Sequence, residues 1–172
     1  MGLFDFFKQK KQTPKPSDRI KEAAVDSNED SGPTILYETE LSGRDLTKDL
    51  RLIQQVVDKM VAEDPFKHYY SAETPGTSPR SPRLYEYGSI TTMNVDLAPG
   101  AHTNLQVSIE GILLGALPSE KAQEIEPYRE KHVLTAYAFV TGGRYKEITP
   151  DTHEIQEGVE PYDVKLFLQF TG

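Results

Sequence analysis

Two short stretches of this chain set cations beside aromatic rings: Arg80, Arg83, Tyr85 and Tyr87 in one, Arg144, Tyr145 and Lys146 in the other. That combination binds single-stranded nucleic acid, because guanidinium and ammonium groups neutralise phosphates while every base offers a face to stack on. The same residues have a plainer use. Tyrosines on strands pack half-buried, and neighbouring Arg and Lys keep the surface soluble. Charge bears on the choice: the 172 residues carry 19 Lys and Arg against 27 Asp and Glu, a formal net charge of −8. A body that acidic repels a polyanion unless its cations gather on one face.

Other chemistries find less material. His68, His102, His132 and His153 are scattered, and no pair has metal-ligand spacing on an expected element, so neither a metal nor another cofactor is expected. Glu38 and Glu40, like Glu124 and Glu126, fall at ordinary solvent-facing positions, whereas a carboxylate pair in acid/base work needs a desolvated cleft. There is no G-x-S-x-G elbow, no P-loop and no G-x-G-x-x-G opening a helix. With no Cys in the chain, a disulfide scaffold, a thiolate metal site and a Cys nucleophile are excluded, and a cytoplasmic setting is expected. No apolar run approaches the ~18–20 residues that cross a bilayer, and the N-terminus lacks the order of a signal peptide. No residue is assigned a catalytic role, and a non-enzymatic binding module is the expectation.

The elements that would position these groups begin after a tail. Residues 1–33 hold six basic and six acidic side chains, so the whole net charge falls on residues 34–172. From Lys8 to Pro33 there are three prolines and few aliphatic residues, and such a stretch is expected to be disordered because it cannot repay the entropy of ordering. Its tip differs. Leu3, Phe4, Phe6 and Phe7 precede Lys8, Lys10 and Lys11, a pattern suited to a partner's groove or an anionic membrane, or simply to packing on the body. Phe6 stands where a myristoylation motif wants Ser or Thr.

Within residues 34–172, Ile35–Leu41 reads as a strand closed by Ser42-Gly43. Leu46, Leu50, Ile53, Val57, Met60 and Val61 then recur at helical spacing up to Pro65. Residues 65–82, with four further prolines and glycines among serines and threonines, read as a long loop. Leu84–Leu97 resumes strand chemistry with a bulge or a bend at Gly88, and Leu105–Ile109 and Ile112–Leu114 read as a tight hairpin. A second helix starts at Pro118-Ser119 and is interrupted at Pro127. Val133–Val140, apolar on both faces, reads as a strand covered on both sides and ended by Gly142-Gly143, and Val164–Phe170 supplies a last strand. The expected fold class is α+β: a small antiparallel β-barrel or strongly curled sheet with two flanking helices.

Several signatures, taken in order, resemble those of HIRAN-type domains. They are Leu84-Tyr85-Glu86-Tyr87, Val95-Asp96-Leu97-Ala98-Pro99, Leu105 through Pro118 and Thr141 through Lys146. The central stretch is similar to the family's "A-I-x-V-x-x-x-G-x-x-V-G-Y-L-P" strand-hairpin-helix, and Ile35–Asp45 is similar to its first strand and turn. The resemblance implies a compact β-barrel flanked by helices, a diverged stand-alone bacterial or phage member, and recognition of DNA, including single-stranded ends. The family's "E-P-x-N-x-x-D-x-N" loop, whose polar residues contact nucleic acid, corresponds to Ala98–Asn104, which keeps the Pro but lacks the Glu, the Asp and the spacing. No contact is carried over from it. Gly111, Gly115 and Pro118 carry over as fold positions only.

Two functions follow. In one, the barrel binds single-stranded nucleic acid or DNA ends, with Arg80, Arg83, Arg144 and Lys146 on phosphates and Tyr85, Tyr87 and Tyr145 on bases. In the other, nucleic-acid binding has been lost and the domain is a protein-interaction or scaffold module whose partner is held by the Phe-rich tip or the 65–82 loop. Convergence of the basic groups on one face separates them.

Overall fold

Strict alternation along the last strand organises the molecule, whose computed structural model describes residues 32–66 and 83–172. Val164, Leu166, Leu168 and Phe170 are all fully buried, while Lys165, Phe167 and Gln169 between them face the other side. This strand, β8 (Ile155–Thr171), lies between β1 (Ile35–Ser42) and β7 (Val133–Ile148). Two short strands, β2 (Arg83–Tyr85) and β3 (Thr91–Thr92), pair with the far side of β7, and every ladder in this five-stranded sheet is antiparallel. A separate three-stranded antiparallel sheet joins β4 (Val95–Pro99), β5 (Leu105–Ile109) and β6 (Ile112–Ala116).

The helical period of the sequence supplies the cover. It breaks into α1 (Gly43–Leu46) and α2 (Leu50–Glu63), because the side chain of Asp49 accepts from Arg51 N–H at 2.9 Å and starts a new helix. Ile53, Val56, Val57 and Met60 form the buried stripe of α2, which packs on β8 and β6. Leu105, Val107 and Ile109 of β5 are equally buried and complete one continuous core with the face of β7 and β8. The third helix, α3 (Ser119–Arg129), carries Pro127 in its last turn and buries Ile125. Tyr128 just before its end stacks on Tyr37 of β1 at 5.3 Å and meets Phe170 at 6.0 Å.

The barrel expected from the sequence is not formed. No sheet is closed or strongly curled: the larger one ends on β1 at one side and on β2 and β3 at the other, and the smaller one ends on β4 and β6. Closure would need a ladder between end strands. Among the described residues no backbone hydrogen bond joins the two sheets, which pack through side chains with α2 beside them, and the α-helices number three. Nor does Gly142-Gly143 end a strand. Both glycines take positive φ, +71° and +84°, and they form a bulge across which β7 continues to Ile148. The partner strand accordingly starts at Ile155, well before Val164. The expected strand at 84–97 is divided among β2, β3 and β4. Only one face of β7 is fully covered: Ala138 and Val140 are buried, whereas Tyr137 and Phe139 share the open face with Phe167. The tail with its Phe-rich tip and most of the 65–82 loop lie outside the described residues.

Phe170→Ala removes a ring held among Tyr37, Tyr128 and the aliphatic core, and is expected to cost about 3–5 kcal/mol in urea unfolding. Phe167→Ala, on the open face, should cost clearly less. Equal losses would mean that both faces are packed.

Candidate functional site

The two basic-aromatic stretches are brought together by the ladder between β2 and β7. Arg83 pairs with Glu147, Leu84 with Lys146 and Tyr85 with Tyr145. Paired residues of an antiparallel ladder share a face and successive residues alternate. Arg83, Tyr85, Tyr145 and Glu147 therefore lie on one face of the ribbon, and Leu84, Arg144 and Lys146 on the other.

On the first face the groups satisfy one another. Arg83 Nε donates to Glu147 Oε2 at 2.9 Å, its Nη1 meets Glu160, and its guanidinium carbon sits 4.4 Å from the Tyr145 ring centroid. The hydrogen bond to Glu147 is the main reason that the guanidinium pKa is raised. Tyr85 Oη donates to Glu160 Oε2 at 2.8 Å, and its ring is tilted against Tyr145 at 5.6 Å. Burial, then this hydrogen bond, raises the Tyr85 phenol pKa. One cation thus faces two carboxylates.

Glycines make the close packing possible. Tyr145 lies across the backbone of Gly158, its partner on β8, and Tyr162 lies across Gly143, leaving no room for a Cβ at either position. Tyr87, in the turn beyond β2, stacks on Tyr162 at 6.1 Å instead of joining Arg83. Burial, followed by the charges of Tyr87 and Glu86, raises the Tyr162 pKa as well.

On the opposite face Arg144 is exposed, with Nη2 3.9 Å from Glu157, and Lys146 stands beside Leu84. Of the seven residues proposed to bind nucleic acid, Arg83, Tyr85 and Tyr145 come together, Tyr87 is displaced to Tyr162, and Arg144 and Lys146 point away. Arg80 lies outside the described residues. The sequence reading missed Glu147 and Glu160. Glu147 was within reach, since it adjoins Lys146, but its pairing with Arg83 needed the register, and Glu160 entered only because β8 extends past the bulge.

One cleft adjoins these elements and a second opens elsewhere. The first, of about 640 Å³, is lined by Arg44, Tyr85, Phe139, Gly142, Glu160 and Asp163, again one cation against two carboxylates, with Arg44 Nε 3.5 Å from Asp163. The other, of about 650 Å³, lies between Pro99, Asn104 and α3, where Arg129 Nε is 3.8 Å from Glu126. Neither concentrates positive charge. Among the described residues no three His, Asp or Glu side chains are grouped to hold a metal ion, and no helix is long and apolar enough to cross a membrane. No protein-family model matches the chain, and neither does any curated protein or solved structure.

Tyr37, Tyr85 and Tyr162 all hold their protons more tightly in the folded state. A raised pKa contributes stability that is complete below the ordinary phenol value and disappears as pH rises through the folded one. The urea midpoint should therefore fall between about pH 9 and pH 11, and fall less in Tyr85→Phe. A midpoint unchanged over that range would contradict the burial of these phenols.

Proposed function

We propose that this chain is a non-enzymatic protein-interaction module and not a nucleic-acid-binding one. What supports this reading is the division of the basic groups: Arg83 is neutralised by Glu147 and Glu160 on one face of the ribbon, while Arg144 and Lys146 occupy the other. A strand of phosphates follows one continuous cationic track. Neither face of the β2–β7–β8 ribbon offers one, and the surrounding acidic side chains oppose the approach of a polyanion. Protein partners tolerate such a surface, since their recognition relies on apolar patches, strand edges and complementary charges of either sign.

A labelled single-stranded oligonucleotide, titrated with the full chain and followed by anisotropy, tests this directly. No binding is expected even at about 50 mM salt, where electrostatic binding is strongest. Binding that weakens steeply towards about 200 mM and is removed by combining Arg144→Ala with Lys146→Ala would overturn the proposal and return the domain to nucleic-acid recognition.

A further inference from the structure

We propose that β1 is a docking edge for an extended, basic segment of another protein, which adds to the five-stranded sheet as a sixth strand; this rests on the protein-interaction reading above. β1 is eight residues long and stands at the end of its sheet, paired among the described residues with β8 alone. Among the described residues no backbone hydrogen bond reaches Ile35–Leu41 from outside that ladder. The row of peptide groups on its outer side is thus a template for another strand.

The side chains along this edge state what the added strand must carry. Glu38 and Glu40 lie on the open face opposite Gln169 and Phe167, the bulge between Ile35 and Tyr37 brings Ile35, paired with Thr171, onto the same face, and all three are exposed. Leu36 at the bulge is 40% exposed and adds to this apolar end. On the core side Glu124 of α3 reaches the edge by accepting from Tyr37 Oη. Glu40 is paired with Lys165 of β8, its neighbour one strand inwards. The carboxylates of Glu38 and Glu40 therefore flank the edge on the open face, whereas Glu124 on the core side is already paired with Lys121 at 2.8 Å.

That arrangement selects among occupants. A second copy pairing antiparallel about Thr39 would set Glu38 opposite Glu40 of the other chain at both positions, and like charges directly opposite are destabilising. A segment with Lys or Arg at every second position and β-branched residues between them would meet Glu38 and Glu40 with opposite charge and bury its apolar end on Leu36 and Ile35. The long-range field points the same way. The described residues hold 11 Lys and Arg against 20 Asp and Glu, which draws a cationic segment in and speeds its encounter.

The probe is a labelled peptide of about ten residues alternating Lys and Val, titrated against the full chain at low salt. Its controls are a Glu-Val peptide, a Lys-Gly peptide of the same charge but poor strand propensity, and a Lys-Val peptide N-methylated at alternate positions. Two cross-strand charge pairs should make Lys-Val bind about five- to tenfold tighter than Glu-Val, and its higher strand propensity should make it bind tighter than Lys-Gly. N-methylation should abolish that advantage. Hydrogen exchange should show new protection of amides in residues 35–42. Glu38→Lys alters one exposed side chain and should cut the preference for Lys-Val, and adding Glu40→Lys should reverse it in favour of Glu-Val.

Equal binding of Lys-Val and Lys-Gly, or of the methylated and unmethylated peptides, would mean adhesion by charge alone and would overturn strand addition. So would protection that falls outside β1. Failure of the protein-interaction reading is registered separately, by the oligonucleotide titration. A chain that binds oligonucleotide yet protects β1 with Lys-Val keeps this edge, whereas one that does neither loses the edge only.

Discussion

The pairing of β7 with β8 is the constraint on which the rest of the structure depends. Its ladder runs from Val133–Thr171 to Ile148–Ile155 with one shift at the Thr141/Gly143 bulge. One half supplies the buried face of Ala138, Val140, Leu166 and Leu168 on which α2 and the smaller sheet close. The other half carries β2 and the tyrosine-glycine contacts. Because side-chain direction alternates along a strand, a slip of one residue would exchange the core set with Lys165, Phe167 and Gln169. Burial of the aliphatic set is what prevents that slip.

The bulge lets the same two strands serve both halves. Gly142 and Gly143 adopt left-handed backbone that a side chain would strain, and the carbonyl of Pro161 and the ring of Tyr162 occupy the space where side chains would be. The strands change direction there without ending. Beyond the bulge no helix among the described residues covers the ribbon, and it is held by aromatic rings laid over glycines and by the ion pairs of Arg83. These contacts use the aromatic and cationic groups that a nucleic acid would need. The Arg83 guanidinium is most favourably placed where it is, between two carboxylates over a ring.

The acidic surplus of the body has a physical consequence at the edges. An open strand end exposes peptide groups to any other strand, and charged side chains beside it discriminate among newcomers. On the open face of β1 that charge comes from Glu38 and from Glu40, the latter paired with Lys165, while on the core side Glu124 is paired with Lys121. Such charge would disfavour a copy of the same edge and favour a strand of opposite sign.

Local patterns were legible before any coordinates. The helical spacing of Ile53, Val57 and Met60, the alternation of Val164–Phe170, the Glu110-Gly111 hairpin turn between β5 and β6, and the start of a helix at Ser119 all appear where the residue types place them, because period and turn chemistry are short-range properties. Strand number and composition also carried the α+β class. What they could not carry was pairing. Whether a set of antiparallel strands closes depends on which edges meet, and that is decided by long-range burial; here the edges stay open and the expected barrel does not form. The cations beside tyrosines were equally visible, but their opposite directions across β7 and the capture of Arg83 by Glu147 and Glu160 are matters of register. Residue identity determined which groups this protein has to work with; the tertiary structure alone decided which of them face each other, because partners far apart in the chain are chosen by the ladder and the core together.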